Sequence, residues 1–124
     1  MANPFVHVEL NTTDLPKAKE FYSKLFNWNL EDVPMPHGTY TLIKPGNGTG
    51  GGMMTHPMPG APSMWLAYVQ VDDINTSTDK ARSLGANVVV PPTEIPSVGW
   101  FSIFQDPTGA MLALFKPTMP QGQS

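Results

Sequence analysis

His7-Val8-Glu9-Leu10-Asn11-Thr12-Thr13-Asp14-Leu15-Pro16-Lys17-Ala18-Lys19-Glu20-Phe21-Tyr22 is the stretch on which the fold turns. From Phe5 to Leu10 the residues alternate with period two. A strand there sets Val6, Val8 and Leu10 on one face and Phe5, His7 and Glu9 on the other. Asn11 to Asp14 reads as a turn ending in a good N-cap, and Pro16 falls in the first helical turn, where a missing N–H costs little. Ala18, Phe21, Tyr22, Leu25 and Phe26 then recur at helical spacing. This helix is expected to pack on the Val6/Val8/Leu10 face and to fade near Asn27.

Working outward, Trp28 to Val33 and Thr39 to Lys44 read as short strands joined by Pro34 to Gly38, a turn in which His37 is expected to be solvated. Pro45 to Gly52 is rich in glycine, and Met53-Met54 reads as one more strand. His56 to Pro62 is a stiff, proline-rich connector. Beyond it the pattern restarts. Met64 to Val71 is a strand, Asp72-Asp73 caps a helix to about Leu84, and Gly85 stops it. Val88 to Val90 is a strand that Pro91-Pro92 should break. Gly99 to Gln105 and Met111 to Phe115 are strands around the turn Asp106-Pro107-Thr108-Gly109. The offset that carries Asp14 onto Asp73 also carries Leu15 onto Ile74, Ala18 onto Ser77, Leu25 onto Leu84, and Val8 and Leu10 onto Ala67 and Val69. We read a duplicated βαβββ module. The expected fold class is α+β within one domain, residues 1–124. Module 1 spans about 4–56, the linker 57–62, module 2 about 63–117, and a loose tail 118–124.

Composition agrees and excludes other classes. With 11 glycines and 14 prolines in 124 residues, about a fifth of the chain breaks helices, which argues against a helical bundle. Seven scattered Lys and Arg against ten Asp and Glu give a net charge of -3, so no nucleic-acid partner is expected. The absence of cysteine excludes disulfides, cysteine nucleophiles and thiolate metal sites. No apolar run approaches the roughly 20 residues of a membrane span, and Met1 to Pro4 lacks the order of a signal peptide. A cytoplasmic protein with no membrane partner is the expectation.

His7 in the first strand, the segment Asp14 to Tyr22, and the late Asp106-Pro107-Thr108-Gly109 turn before a terminal strand resemble the vicinal oxygen chelate superfamily. That group includes glyoxalase I, the bleomycin-resistance proteins and the extradiol dioxygenases. The likeness runs over about residues 4 to 117 and is nearest to small two-module, glyoxalase-like members. It implies that the modules form a mixed sheet curled into a cup, with helices outside, a small-molecule site within and a homodimer as the assembly. It also implies a divalent metal held by His and Glu side chains, acting as a Lewis acid on a small oxygenated metabolite, in lyase, isomerase or dioxygenase chemistry.

Carried over position by position, the first-strand ligand falls on His7. Its counterpart in the second module is Leu66, the last-strand ligand falls on Ala113, and the fourth-strand ligand falls near Gly52 to Met54. Stable sites need about three protein ligands, so the metal set (Zn, Ni, Fe or Mn) is incomplete unless Glu9 and His56 join His7. Two other readings stay open: His7 and Glu9 as hydrogen-bonded polar groups lining the cup, or as a metal-free catalytic pair. Tyr68, Gln70, Trp100, Phe104, Met111 and Met54 are the expected substrate-binding positions, an aromatic and methionine-rich lining. A non-catalytic protein that sequesters its ligand, as bleomycin-resistance proteins do, is the alternative, with Trp65 or Trp100 fluorescence as its reporter. The run Gly46 to Gly52 lacks the Lys-Ser/Thr of a phosphate loop and suits a lid or a close backbone approach.

Overall fold

The computed structural model describes residues 2–35 and 38–118. The chain divides into two compact units, Val6–Leu66 and a second made of Met1–Phe5 with Ala67–Ser124. The short N-terminal piece belongs with the second because Pro4 accepts the Gln70 N–H and Asn3 donates to the Gln70 carbonyl.

The first unit follows the order strand, helix, three strands: β1 (Phe5–Thr12), α1 (Leu15–Leu25), β2 (Asn29–Met35), β3 (Gly38–Lys44) and β4 (Gly51–Thr55). The strands lie in the order β2-β3-β4-β1, with β1 parallel to β4 and the other pairs antiparallel. The Asp14 carboxylate caps α1 by accepting from the Lys17 N–H. One face of this sheet carries Leu10, Ile43 and Met53, which pack with Leu15, Ala18 and Tyr22 of α1 and with Trp28 and Leu30. The helix is narrower in its contact than its spacing suggests. Phe21, Leu25 and Phe26, expected in the core, are 57%, 55% and 44% exposed, because only the Leu15–Ala18–Tyr22 stripe points at the strands.

The second unit repeats the plan with β5 (Met64–Gln70), whose first residues still belong to the first unit, then α2 (Ile74–Ser83), β6 (Asn87–Ile95), β7 (Gly99–Gln105) and β8 (Met111–Pro117). The order is β5-β8-β7-β6, again with one parallel pair, β5 with β8. Asp73 caps α2 through the Thr76 N–H, and Gly85, at φ +103°, turns the chain out of it. Val71, Ile74 and Leu114 form the core of this unit, with Val69 and Phe104 against it. The Asp106 carboxylate organises the last turn by accepting from the Thr108 hydroxyl and from the Thr108 and Ala110 N–H groups. The class is therefore α+β, built of two βαβββ modules.

Two boundaries differ from expectation. β6 runs through Pro91-Pro92 instead of ending there, with register shifts between Val88 and Val90 and between Val90 and Thr93. It is the outer strand of its set, so the missing N–H groups break no ladder that the bulges do not already interrupt. β2 likewise extends through Pro34, which pairs with Thr39. The expected solvation of His37 and the expected loose tail beyond Thr118 lie outside the described residues.

Met53 has no exposed surface. Met53→Ala should lower the unfolding free energy by about 2–5 kcal/mol, read as an earlier urea midpoint with an unchanged slope.

Candidate functional site

The face of the first sheet opposite the Leu10/Ile43/Met53 core is polar where β1 crosses it. His7 and Glu9 alternate with Val8 and Leu10, and the parallel register sets Glu9 beside Gly52 and Asn11 beside Met54. On β3, Leu42 pairs with Gly52, so Tyr40 shares this face. Glu9 is buried, 8% exposed, and His7 is partly buried.

Tyr40 ties the pair together. Its hydroxyl lies 2.7 Å from His7 Nε2 and donates to Glu9 Oε2 at 2.9 Å. A phenol has one proton, and here it goes to Glu9. His7 Nε2 must then supply the proton of the other bond, so the ring is in its Nε2–H form. The two rings lie nearly parallel, 19° apart with centroids at 6.3 Å. Burial pushes the His7 pKa down, and the Glu9 carboxylate opposes it more weakly. The result is a neutral imidazole at neutral pH, in a directional chain from His7 through the Tyr40 hydroxyl to Glu9.

Gly52 makes this possible. A Cβ there would overlap the Tyr40 hydroxyl and ring. Gly51 is similarly close to the Val8 carbonyl. At Gly51 and Gly52 the glycine run thus takes the form of a close backbone approach, while Gly46 and Gly48 lie in open space.

The remaining expected residues divide. Met54 lies on the His7/Glu9 face, two positions along β4 from Gly52. His56 does not join His7. It follows Thr55, the partner of Thr12 at the far end of β1, roughly 16 Å along the strands from the His7 level at about 3.3 Å per residue. Its Nδ1 accepts the Met58 N–H and its own N–H binds the Thr12 carbonyl. Tyr68, Gln70 and Met111 lie on the face of the second sheet that turns away from α2, where Tyr68 pairs with Ala113, Gln70 with Phe115 and Met111 with Gln105. Trp100 and Phe104 fall on the other face. They share parity with Ser102, whose hydroxyl meets Thr78 of α2 at 2.8 Å, and Phe104 packs on the Val71/Ile74/Leu114 core. Both are corrected from lining positions to the helix side. Trp65 is also unsuited as a reporter, since it packs edge-on to Tyr22 and Trp28 beside α1.

A divalent metal does not fit this donor set. His7 and Glu9 offer one nitrogen and one carboxylate, with the Tyr40 hydroxyl bridging them. Among the described residues, no group of three or more His, Cys, Asp or Glu could hold an ion. Sequence reasoning overlooked Tyr40, although its parity with Leu42, opposite to that of the buried Ile43, was readable.

Comparison with known proteins gives the same family as the sequence motifs. Residues 5–114 match the model of the Glyoxalase/Bleomycin resistance protein/Dioxygenase superfamily. The chain is 37% identical over 111 residues to the Mycobacterium bovis protein named "Putative glyoxylase CFP32", covering 88% of this chain and 42% of that protein. It is 24% identical over 129 residues to the anthracycline biosynthesis protein DnrV of Streptomyces peucetius, covering 92% of this chain and 47% of that protein. The chain thus spans about half the length of these curated relatives. Among solved structures, methylmalonyl-CoA epimerase from Mycobacterium tuberculosis superimposes with a TM-score of 0.69 at 17% identity, over 93% of this chain and 88% of that one, which is a likeness of fold.

The depressed His7 pKa has a consequence for stability. Below the ordinary value of about 6.5 the unfolded chain binds the proton more readily. The contribution is therefore complete above that value and is lost as pH falls toward the folded one. The urea midpoint should be lower at about pH 5.5 than at pH 7.5, and His7→Gln should flatten that segment. An unaltered pH dependence in this variant would contradict a buried neutral His7.

Proposed function

The chain belongs to the Glyoxalase/Bleomycin resistance protein/Dioxygenase superfamily, and we propose that it acts on a small oxygenated metabolite through His7 and Glu9 as a metal-free acid–base pair. The observation that carries this reading is the hydrogen-bond chain from His7 through Tyr40 to Glu9 on one strand face. A neutral imidazole and a carboxylate joined by a phenol are groups of the type that accept and return a proton. Met54 is the proposed substrate-binding position beside His7 and Glu9 in the first unit, and Tyr68, Gln70 and Met111 are proposed ligand-binding positions of the second unit taken by itself. The reaction class we favour is lyase or isomerase chemistry, with dioxygenase chemistry weakened by the poor donor set.

A second reading, a binding or sequestering protein without turnover, has its own support. The chain resembles a protein named for anthracycline biosynthesis, which makes a planar aromatic ligand reasonable. For either reading we propose a homodimer in the cytoplasm, with a small molecule and no nucleic acid as partner. No helix among the described residues is long and apolar enough to cross a membrane.

Two probes separate the readings. The hemithioacetal of methylglyoxal and a thiol tests turnover, and an anthracycline tests saturable binding by equilibrium dialysis. The first reading expects turnover that His7→Ala lowers by about a hundredfold or more while far-UV circular dichroism stays unchanged. Full activity in that variant refutes the role of His7. Saturable binding with no turnover of the hemithioacetal supports the second reading.

A further inference from the structure

The superfamily positions at which the sequence leads one to expect ligands hold no good donor to a hard ion: Leu66, Ala113 and the stretch Gly52 to Met54. Gly52 is more than a missing donor. It pairs with Glu9 in the parallel register and with Leu42 in the antiparallel one, so a side chain there would project onto the His7/Glu9 face. The Tyr40 ring lies where that side chain would start. A side chain at position 52 and Tyr40 in this position are mutually exclusive.

We infer that Tyr40, seated on Gly52, is the specificity-determining group of this site: it takes the place of a divalent cation between His7 and Glu9 and holds His7 as the Nε2–H tautomer. The phenol meets the Glu9 carboxylate with an O–H donor, where a cation would instead accept an oxygen lone pair. It does for His7 what a cation could not, by accepting a hydrogen bond from Nε2–H. A ligand at this face therefore meets a neutral hydrogen-bonding array, and a metal-chelated pair of oxygens is not what the array selects. Loss of Tyr40 leaves two donors, still short of the about three that stable sites use. The inference rests on the same three residues as the proposed function. Its readouts need no ligand, so either can fail while the other stands.

The test uses the full chain labelled with 15N and dialysed against about tenfold excess zinc or nickel. Bound metal is counted by mass spectrometry and the His7 ring nitrogens are followed by NMR, with the His7 signal assigned by its loss in His7→Gln. The expected result is less than about 0.1 ion retained per chain, with a neutral Nε2–H signature that zinc does not move. Tyr40→Phe keeps the ring on Gly52 but removes the hydroxyl. It should lose the fixed tautomer while circular dichroism and metal content stay as they were. Gly52→Ala should displace Tyr40 and give the same His7 signature as Tyr40→Phe. Near-stoichiometric zinc that shifts the His7 ring nitrogens overturns the inference. So does a His7 tautomer unchanged in Tyr40→Phe.

Discussion

The parallel register of β1 against β4 is the constraint on which the first unit depends. It sets Leu10 beside Met53 on the helix side and Glu9 beside Gly52 on the other. Because strand side chains alternate, a slip of one residue would send Leu10 out of the core and bring Glu9 into it. The core and the polar face are thus specified by one alignment. The apolar burial that makes the register favourable also carries His7 and Glu9 to their places.

Burying Glu9 and part of His7 is costly unless each group finds a partner. Tyr40 supplies partners to both, and no buried side-chain nitrogen or oxygen among the described residues lacks one. The same economy appears elsewhere. Buried Thr41 donates to Asp32, which also receives Lys19. Buried Thr78 donates to the Ile74 carbonyl, so its oxygen accepts from Ser102. In the second unit such a pair fastens the helix to its sheet. In the first, Tyr40 fastens strand to strand.

Much of this was readable from residues. The caps at Asp14 and Asp73 and the Asp106 turn are local signals, set by side chains that bond their own neighbouring backbone, and the stop at Gly85 is set by a positive φ that glycine adopts freely. Pairings between strands distant in sequence were less visible. Pro91-Pro92 reads locally as a strand end, because the edge position of β6 is set by pairing and not by neighbouring residues. The parity of Trp100 and Phe104 was plain, but the face was decided by Ser102 meeting Thr78, a contact across 24 positions. His56 shares parity with Met54, yet the β1/β4 register carries it away from His7. The role of Tyr40 needed β3 and β4 to be aligned, which alternation alone does not do.

Comparing the registers of the two units shows how duplication has been put to different ends. Glu9 pairs with Gly52 in the first, and Tyr68 with Ala113 in the second. Leu42 pairs with Gly52, and Ile103 with Ala113, so the position of Tyr40 corresponds to Phe101. The sequence offset that aligns Asp14 with Asp73 would have set Tyr40 on Gly99 instead, because the stretches between helix and last strand differ in length. An aromatic ring and a small residue therefore recur together in both units. Where the ring carries a hydroxyl, its neighbours are His7 and Glu9. Where it does not, the corresponding residues are Leu66 and Tyr68. A phenylalanine cannot serve as both acceptor and donor, so a buried His–Glu pair beside it would lose the group that satisfies both. The His7–Glu9 pair stands in the module whose ring carries a hydroxyl, and that hydroxyl bonds both of its members.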